Sequence, residues 1–337
     1  MLIDAQLNGQ GPYALILDTG GEIASIDLAL ARRLGLPLRG EQTSPRGDRF
    51  SVFGLKRLLL GGVIAQEDIQ VLGVDGGGES GGVIGFSDAS LVTGEDSDLD
   101  FGRLELRLYP GGRPGPAPGV RIPSELRGGQ GGAARPFADV VVGDTALRAL
   151  WDTGNPGTVQ IRDNIARQLG LWTDTRLYAP IRDAHVGGAD AALSRIVRAD
   201  RLRIGDADFS GQLVTLRPGA INGAVVGLSL IQALNLAFDH RAGDLWVRRS
   251  GLAPAPLTYG LSGAWVMDAG DAVKVAEVGT GSPAAKAGVR PGDFVEGVAD
   301  KYEARRLLDG PAGKPVTLRL RRDGAVVTVS FVLAAYL

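Results

Sequence analysis

Short apolar strings, each closed by glycine or by polar residues, recur along the chain and predict a largely β structure. Residues 2–7 and 137–142 carry one such string, and residues 14–17 and 147–151 another. Two stretches read instead as short helices, 29–36 and 164–171, each stopped by a glycine, Gly35 and Gly170. Towards the C-terminus Val273, Val275 and Val278 mark a strand. Val316, Leu318 and Leu320 then alternate, as do Val327, Val329 and Phe331, with a hairpin turn expected at Arg322-Asp323-Gly324.

The same elements occur twice in the same order. Asp18-Thr19-Gly20 follows the string 14–17, and Asp152-Thr153-Gly154 follows 147–151. After each come the helix, a glycine-bearing hairpin, and two apolar residues with glycine: Val83-Ile84-Gly85 and Val225-Val226-Gly227. Helix-like segments are expected next, at 86–92 and 228–234. Closing strands follow, with 99–101 leading to 104–106 and 237–239 leading to 245–247. A single Asp-Thr-Gly is an ordinary turn sequence. Two copies in matching surroundings predict one carboxylate donated by each half of a two-fold site. Carboxylates held close together cannot both ionise easily, so they share a proton. Such a pair can hold a water as base and protonate a leaving group as acid.

Over roughly residues 1–249 the chain resembles the retropepsin-type aspartic peptidases, with both lobes fused as in the pepsins. The resemblance implies a mostly β, bilobed fold of two β-barrel-like lobes. It implies an aspartic endopeptidase that needs neither cofactor nor metal, with Asp18 and Asp152 catalytic. Thr19 and Thr153 would interlock across the two-fold axis, and Gly20 and Gly154 would let backbone amides reach the carboxylates. Gly85 and Gly227 would allow close passage behind the catalytic loops. Pepsin-like enzymes usually place Ser or Thr after the triplet, whereas this chain has Gly21 and Asn155. The dyad should therefore keep its proton to higher pH than in acid-adapted relatives. Flap hairpins, by offset, fall at 43–52 with a tip near Arg46 and Gly47, and at 183–192 with a tip near Gly187 and Gly188. A peptide-binding scaffold without catalysis, or an inactive precursor, is the alternative.

The C-terminal segment resembles a bacterial PDZ domain through Ser282-Pro283-Ala284, Ala287-Gly288 and Pro291-Gly292-Asp293. The Asn-Gly turn usual after the Gly-Asp strand is replaced by Val298-Ala299-Asp300, which shortens the approach to a groove helix expected near 302–308. By position, the carboxylate-binding loop falls at Tyr259, Gly260 and Leu261. The ligand implied is a chain terminus or an extended segment. The domains expected are lobe 1 at 1–112, a Gly/Pro-rich linker at 113–134, lobe 2 at 135–249 and the PDZ domain at 257–337. The linker composition favours a flexible connection.

Composition narrows the chemistry. The 337 residues are 44% hydrophobic and 22% charged, with a net charge of −2, which gives no reason to expect nucleic acid or an anionic membrane as partner. There is no cysteine, so disulfides, thiol nucleophiles and thiolate metal sites are excluded. Two histidines, His185 and His240, leave little for a histidine triad or a multi-histidine metal site. Gly76, Gly78 and Gly81 form a dinucleotide-type pattern, but without the strand–helix unit it requires. No apolar stretch is long enough to span a membrane. Met1 stands at the edge of the first strand pattern, which suggests an exported protein without its leader, periplasmic or secreted, with the cytoplasm left open.

Overall fold

In the computed structural model, residues 1–44, 47–75, 83–128, 132–182, 184–185, 188–189, 192–219 and 222–337 are described. The chain is mostly β, and the two repeats are wired alike. In the first, Gln10–Ile16 pairs antiparallel with Leu2–Leu7 and parallel with Val83–Phe86. Val83–Phe86 runs antiparallel to Ser25–Asp27, which in turn lies parallel to Ile64–Val74. In the second, Thr145–Asp152 pairs antiparallel with Arg135–Val142 and parallel with Ala224–Gly227. Ala224–Gly227 runs antiparallel to Val159–Arg162, which lies parallel to Leu213–Arg217. The parallel neighbour is what matters for the site. It carries a strand from far along the chain directly behind each Asp-Thr-Gly.

The repeats join through a sheet to which both contribute. Asp96–Asp100 and Leu234–Asp239, closing strands of the two halves, pair antiparallel with Leu236 opposite Leu99 and Phe238 opposite Ser97. One apolar core runs through both lobes, with Leu17, Ile26, Leu99, Trp151, Ile161 and Phe238 almost wholly removed from water. Full burial of side chains of this size is worth about 1.5–3 kcal/mol each. This core therefore fixes the lobes relative to one another more firmly than any surface ion pair.

Helix Leu28–Arg33 begins where the Asp27 carboxylate accepts from the Leu30 N–H at 2.7 Å. Just past its end Gly35 takes φ +63°. Asp163–Gln168 ends the same way at Gly170, φ +67°. The helix expected at 86–92 is displaced. Phe86 still belongs to the strand, and the helix is Ser90–Thr93. Its counterpart, Leu228–Ile231, starts directly after Gly227.

The segment 113–134 is not a free linker. Val120–Ile122 adds to the open edge of Asp244–Arg249, and Ser124–Arg127 pairs with Arg135–Val142. Val120 and Ile122 alternate with Arg121, which meets Asp244 at 2.6 and 2.7 Å. That short amphipathic alternation suffices to add a strand where an edge is unpaired. Further along, the Ala133 N–H donates to the Glu22 carbonyl at 2.8 Å and the Thr93 hydroxyl to the Ala134 carbonyl at 2.7 Å.

Residues 257–337 hold a separate core around Val266, Val275, Val316, Leu318 and Leu320. Its sheet runs Ala264–Ala269, Ala272–Val278, Phe294–Val295, Pro315–Arg322, Ala325–Val332. Among the described residues no helix is long and apolar enough to cross a membrane.

Candidate active site

Each Asp-Thr-Gly leaves its sheet where a glycine allows a second backbone to press against it. A Cβ on Gly85 would stand 1.9 Å from the Ser25 carbonyl oxygen, and one on Gly227 2.3 Å from the Gly157 carbonyl oxygen. Any side chain there would push strand and loop apart. The two loops are tied across the lobe boundary by four hydrogen bonds. The Thr19 N–H donates to Thr153 Oγ1 at 3.1 Å and the Thr153 N–H to Thr19 Oγ1 at 3.0 Å. The Thr19 hydroxyl donates to the Trp151 carbonyl and the Thr153 hydroxyl to the Leu17 carbonyl, both at 2.6 Å. Both threonines are buried. Their donors and acceptors have no water to fall back on, so each bond lost would leave a costly orphan.

This lock brings the Asp18 and Asp152 carboxyl groups together, close enough for each to act on the other's proton. The triplet glycines make the approach possible. A Cβ on Gly20 would lie 2.3 Å from the Asp152 carboxyl carbon, and one on Gly154 2.5 Å from that of Asp18. Each glycine thus leaves the space that the opposite carboxyl fills. The pair is partly exposed, while protein surrounds most of it.

Electrostatics separate the two acids. Burial pushes the Asp18 carboxyl above the usual range, against backbone N–H donation from Gly20, Gly21 and Gly154. Burial and then the Asp18 charge push Asp152 up well beyond that, opposed by the N–H groups of Asn155 and Gly154. The proton belongs to the pair, and three backbone N–H groups on Asp18 against two on Asp152 favour the charge on the Asp18 side.

The residues after the triplets differ in kind. Gly21 brings only its N–H to Asp18. Asn155 gives its backbone N–H to Asp152 Oδ1 at 2.9 Å, but its side chain turns away. Asn155 Oδ1 accepts from the Gly157 N–H at 2.8 Å and from Gln160 Nε2 at 3.4 Å. Neither lobe therefore supplies a side-chain donor from this position. Ser87 was not singled out by sequence reasoning. Its hydroxyl accepts the Asp18 N–H at 3.0 Å and fixes the start of the loop. The available signal was its place two residues after Gly85, matched by Ser229 after Gly227. Ser229 acts differently, donating to the Pro156 carbonyl at 2.5 Å.

Hairpins stand at both expected flap positions. Leu38–Thr43 pairs with Arg49–Leu60, and its loop is braced by Ser44 and Asp48, with Gly47 at φ +92°. In lobe 2, Ala184 pairs with Ala189 and His185 with Gly188. Arg46 and Gly187, like Gly76, Gly78 and Gly81, lie outside the described residues. His240 is engaged with the Thr93 carbonyl through Nδ1 at 2.6 Å. Among the described residues no three His, Cys, Asp or Glu side chains gather as metal ligands would.

The family of PDZ domains matches residues 274–322. The chain carries a PDZ domain. A candidate zinc metalloprotease of Mesorhizobium japonicum is 49% identical over 61 residues, which is 17% of this chain and 17% of that protein. Among solved structures, a retropepsin-like aspartic protease from Rickettsia conorii aligns over 38% of this chain and 87% of its own, at 16% identity and a TM-score of 0.27. Conglutin gamma from lupine seeds aligns over 76% and 95%, at 10% identity and a TM-score of 0.40. Basic 7S globulin from soybean aligns over 76% and 94%, at 9% and 0.38. These likenesses are distant, and what the site can do is read from its own geometry.

In the PDZ domain Asp293 is buried and held by two bonds from Arg322 at 2.7 Å and by the Arg290 N–H at 2.8 Å. Two side-chain bonds start the groove helix. Asp300 accepts from the Glu303 N–H at 2.8 Å and Glu303 accepts from the Ala299 N–H at 2.6 Å, starting Lys301–Leu308. Tyr259 and Gly260 line a cavity of about 320 Å³ beside Ala264–Ala269, and Leu261 packs on the PDZ core. The domain is seated on lobe 2. The Tyr178 hydroxyl donates to Glu277 and, at 3.0 Å, to the Val278 carbonyl. The Arg195 guanidinium lies 4.0 Å over the Tyr178 ring. Gly279 and Gly281 leave no room for a Cβ, which would meet the Tyr178 carbonyl oxygen at 2.0 Å and Leu177 Cδ2 at 2.3 Å.

Proposed function

We propose that the chain is an aspartic endopeptidase working through Asp18 and Asp152. The observation that carries this reading is the juxtaposition of two carboxyl groups from different lobes, each filling the space left by the other triplet's glycine. An extended substrate would lie across the cleft between the lobes, beneath one or both hairpins. Ionised Asp18 takes a proton from a water held between the carboxyls, and the water oxygen attacks the scissile carbonyl. Protonated Asp152 polarises that carbonyl, and a proton is then returned to the leaving nitrogen. The threonine lock keeps the carboxyls at working distance, so little reorganisation is needed during the reaction. Both acids sit in one chain, and catalysis needs no second copy. The PDZ domain, seated at the foot of the lobe 2 hairpin, would dock substrate or regulate access. We place this activity in the periplasm or outside the cell.

The test is cleavage of an unfolded protein substrate by the wild type and by the Asp18→Asn and Asp152→Asn variants, with circular dichroism on each. Loss of cleavage in both folded variants is expected. Retained cleavage in either would show that the pair is not the reacting group.

A further inference from the structure

Ala264–Ala269 is the edge strand of the PDZ sheet. One side pairs with Ala272–Val278, the groove helix Lys301–Leu308 lies beside it, and Ala179–Ile181 of lobe 2 packs against it, with Pro180 and Ile181 lining the groove cavity. Next to the groove cavity is a second one of about 420 Å³. Trp265 and Arg305 border both, and Arg182 of lobe 2 closes the second.

Among the described residues, the charges around this second cavity do not balance. Three cations, Arg182, Lys301 and Arg305, face one carboxylate, Asp268. Lys301 meets Asp268 at 2.6 Å and uses that charge. Arg305 rests 4.5 Å over the Trp265 ring and makes one long bond, 3.4 Å, to the Val266 carbonyl. Arg182 has no ion pair among the described residues. Three buried donors here lack an acceptor: Arg182 Nε, Arg305 Nε and Trp265 Nε1. Buried N–H groups are nearly always satisfied. The Arg182 and Arg305 guanidinium groups, neither in an ion pair among the described residues, line one cavity and match a carboxylate, whose two oxygens accept up to four bonds.

We propose that this pocket, shared by the PDZ domain and lobe 2, binds an acidic side chain of an extended peptide lying along Ala264–Ala269. A side chain fits the layout better than a chain terminus. A terminus would fall at Tyr259 and Gly260, on the groove cavity, and a strand running on from there passes Trp265 and reaches Arg182 and Arg305. Lobe 2 thereby reads part of the PDZ ligand. Arg182 directly follows Ala179–Ile181, the strand at the foot of the hairpin at 184–189, so the pocket sits where docking and the cleft meet. Binding here stands apart from cleavage at the Asp pair.

The test uses the full chain carrying Asp18→Asn, which keeps peptides intact, and fluorescence anisotropy with labelled octapeptides ending in a free valine carboxylate. The peptides place Glu or Gln at each of the four positions before the last. At one position Glu should bind at least tenfold tighter than Gln. Arg182→Gln, and separately Arg305→Gln, should each bring that ratio to within about twofold of unity. Amidating the terminus should leave the ratio standing. Equal binding of Glu and Gln peptides at every position, or no binding at all, would overturn the assignment. So would a ratio unchanged in both variants, or one that disappears on amidation, which would give the pocket to the terminal carboxylate instead.

Discussion

The two Asp-Thr-Gly loops are the same where they touch each other and different where they touch their own lobes. Thr19 and Thr153 make matching bonds across the boundary, at 3.0–3.1 Å for the N–H groups and 2.6 Å for the hydroxyls. Beyond the triplet the likeness ends. Lobe 1 gives Asp18 the N–H groups of Gly20 and Gly21, and holds the N–H of Asp18 itself with Ser87. Lobe 2 turns Asn155 away from Asp152 to hold Gly157. The symmetric part sets distance, and the asymmetric part sets which acid keeps the proton. On the proposed mechanism, a two-fold site thus acquires an acid and a base from one repeated motif.

The severest test of this division is at the carboxyls themselves. If the pair acts as one acid–base unit, Asp18→Asn and Asp152→Asn should each lower kcat by roughly a thousandfold or more, since acid–base roles are worth about 10²–10⁴ each. The double variant should be little worse than either single one. Substantial activity in either single variant would show that the pair is not the reacting group.

The threonine lock comes next, and here the lobes should respond alike. Thr19→Val leaves the Thr153 N–H and the Trp151 carbonyl without a partner, and Thr153→Val leaves the Thr19 N–H and the Leu17 carbonyl. At about 1–3 kcal/mol for a buried orphan, each change should cost on the order of 3 kcal/mol by denaturant unfolding. The Ser variants should keep most of it. A large difference between the two valine variants would break the symmetry claimed for the lock.

The parts legible in the sequence are those with local causes. Alternating apolar positions announced the strands on both sides of Arg322-Asp323-Gly324, and a glycine after each helical stretch announced the helix ends, where Gly35 and Gly170 take positive φ. Asp18 and Asp152 stood out because a rare event, the repeat, marked them. What escaped has causes far along the chain. Ser87 reaches Asp18 across 69 positions, and Tyr178 reaches Glu277 across 99. The segment 113–134 reads as a flexible joint because glycine and proline dominate it, yet Val120 and Ile122 find an open strand edge at 245–247. Composition records what a segment prefers alone, and an unpaired edge overrides that preference. The helix misplaced at 86–92 failed for a related reason. Parallel pairing of Ile16 with Phe86 holds that residue in the sheet.

A smaller effect probes the asymmetry directly. Gly21→Ser would place a Cβ 3.1 Å from Asp18 Oδ2 and from the Ser87 carbonyl oxygen, tight but at a backbone conformation open to serine. Its hydroxyl would add a donor to Asp18 and favour the ionised form. The acidic limb of the kcat/KM–pH profile should move down by about one pH unit. Asn155→Ser should do less, because it also releases Gly157 and Gln160. Equal shifts would mean that the Asn155 side chain is not bound elsewhere in solution.

The smallest expected effect lies in stability. Asp152 is raised well above its ordinary 3.8 by burial and by the Asp18 charge. The folded pair therefore keeps a proton that the unfolded chain has released above pH 3.8, and ∂ΔG/∂pH is negative across the interval up to the folded value. Stability is lost as pH rises through that window and not regained above it. Asp152→Asn removes the penalty, so the variant should melt a few degrees higher than wild type at neutral pH, roughly 2–5 °C. The gap should narrow as pH falls towards 3.8, where both states of the wild type become protonated. Asp18→Asn should gain less, because Asp18 is raised less and its charge is favoured by three backbone N–H groups that an amide would accept from more weakly. Calorimetry of both variants from pH 4 to 8 checks the sign and the order. If Asp18→Asn were the more stabilised of the two, the proton would reside on Asp18, and the base and acid assigned to the two lobes would exchange.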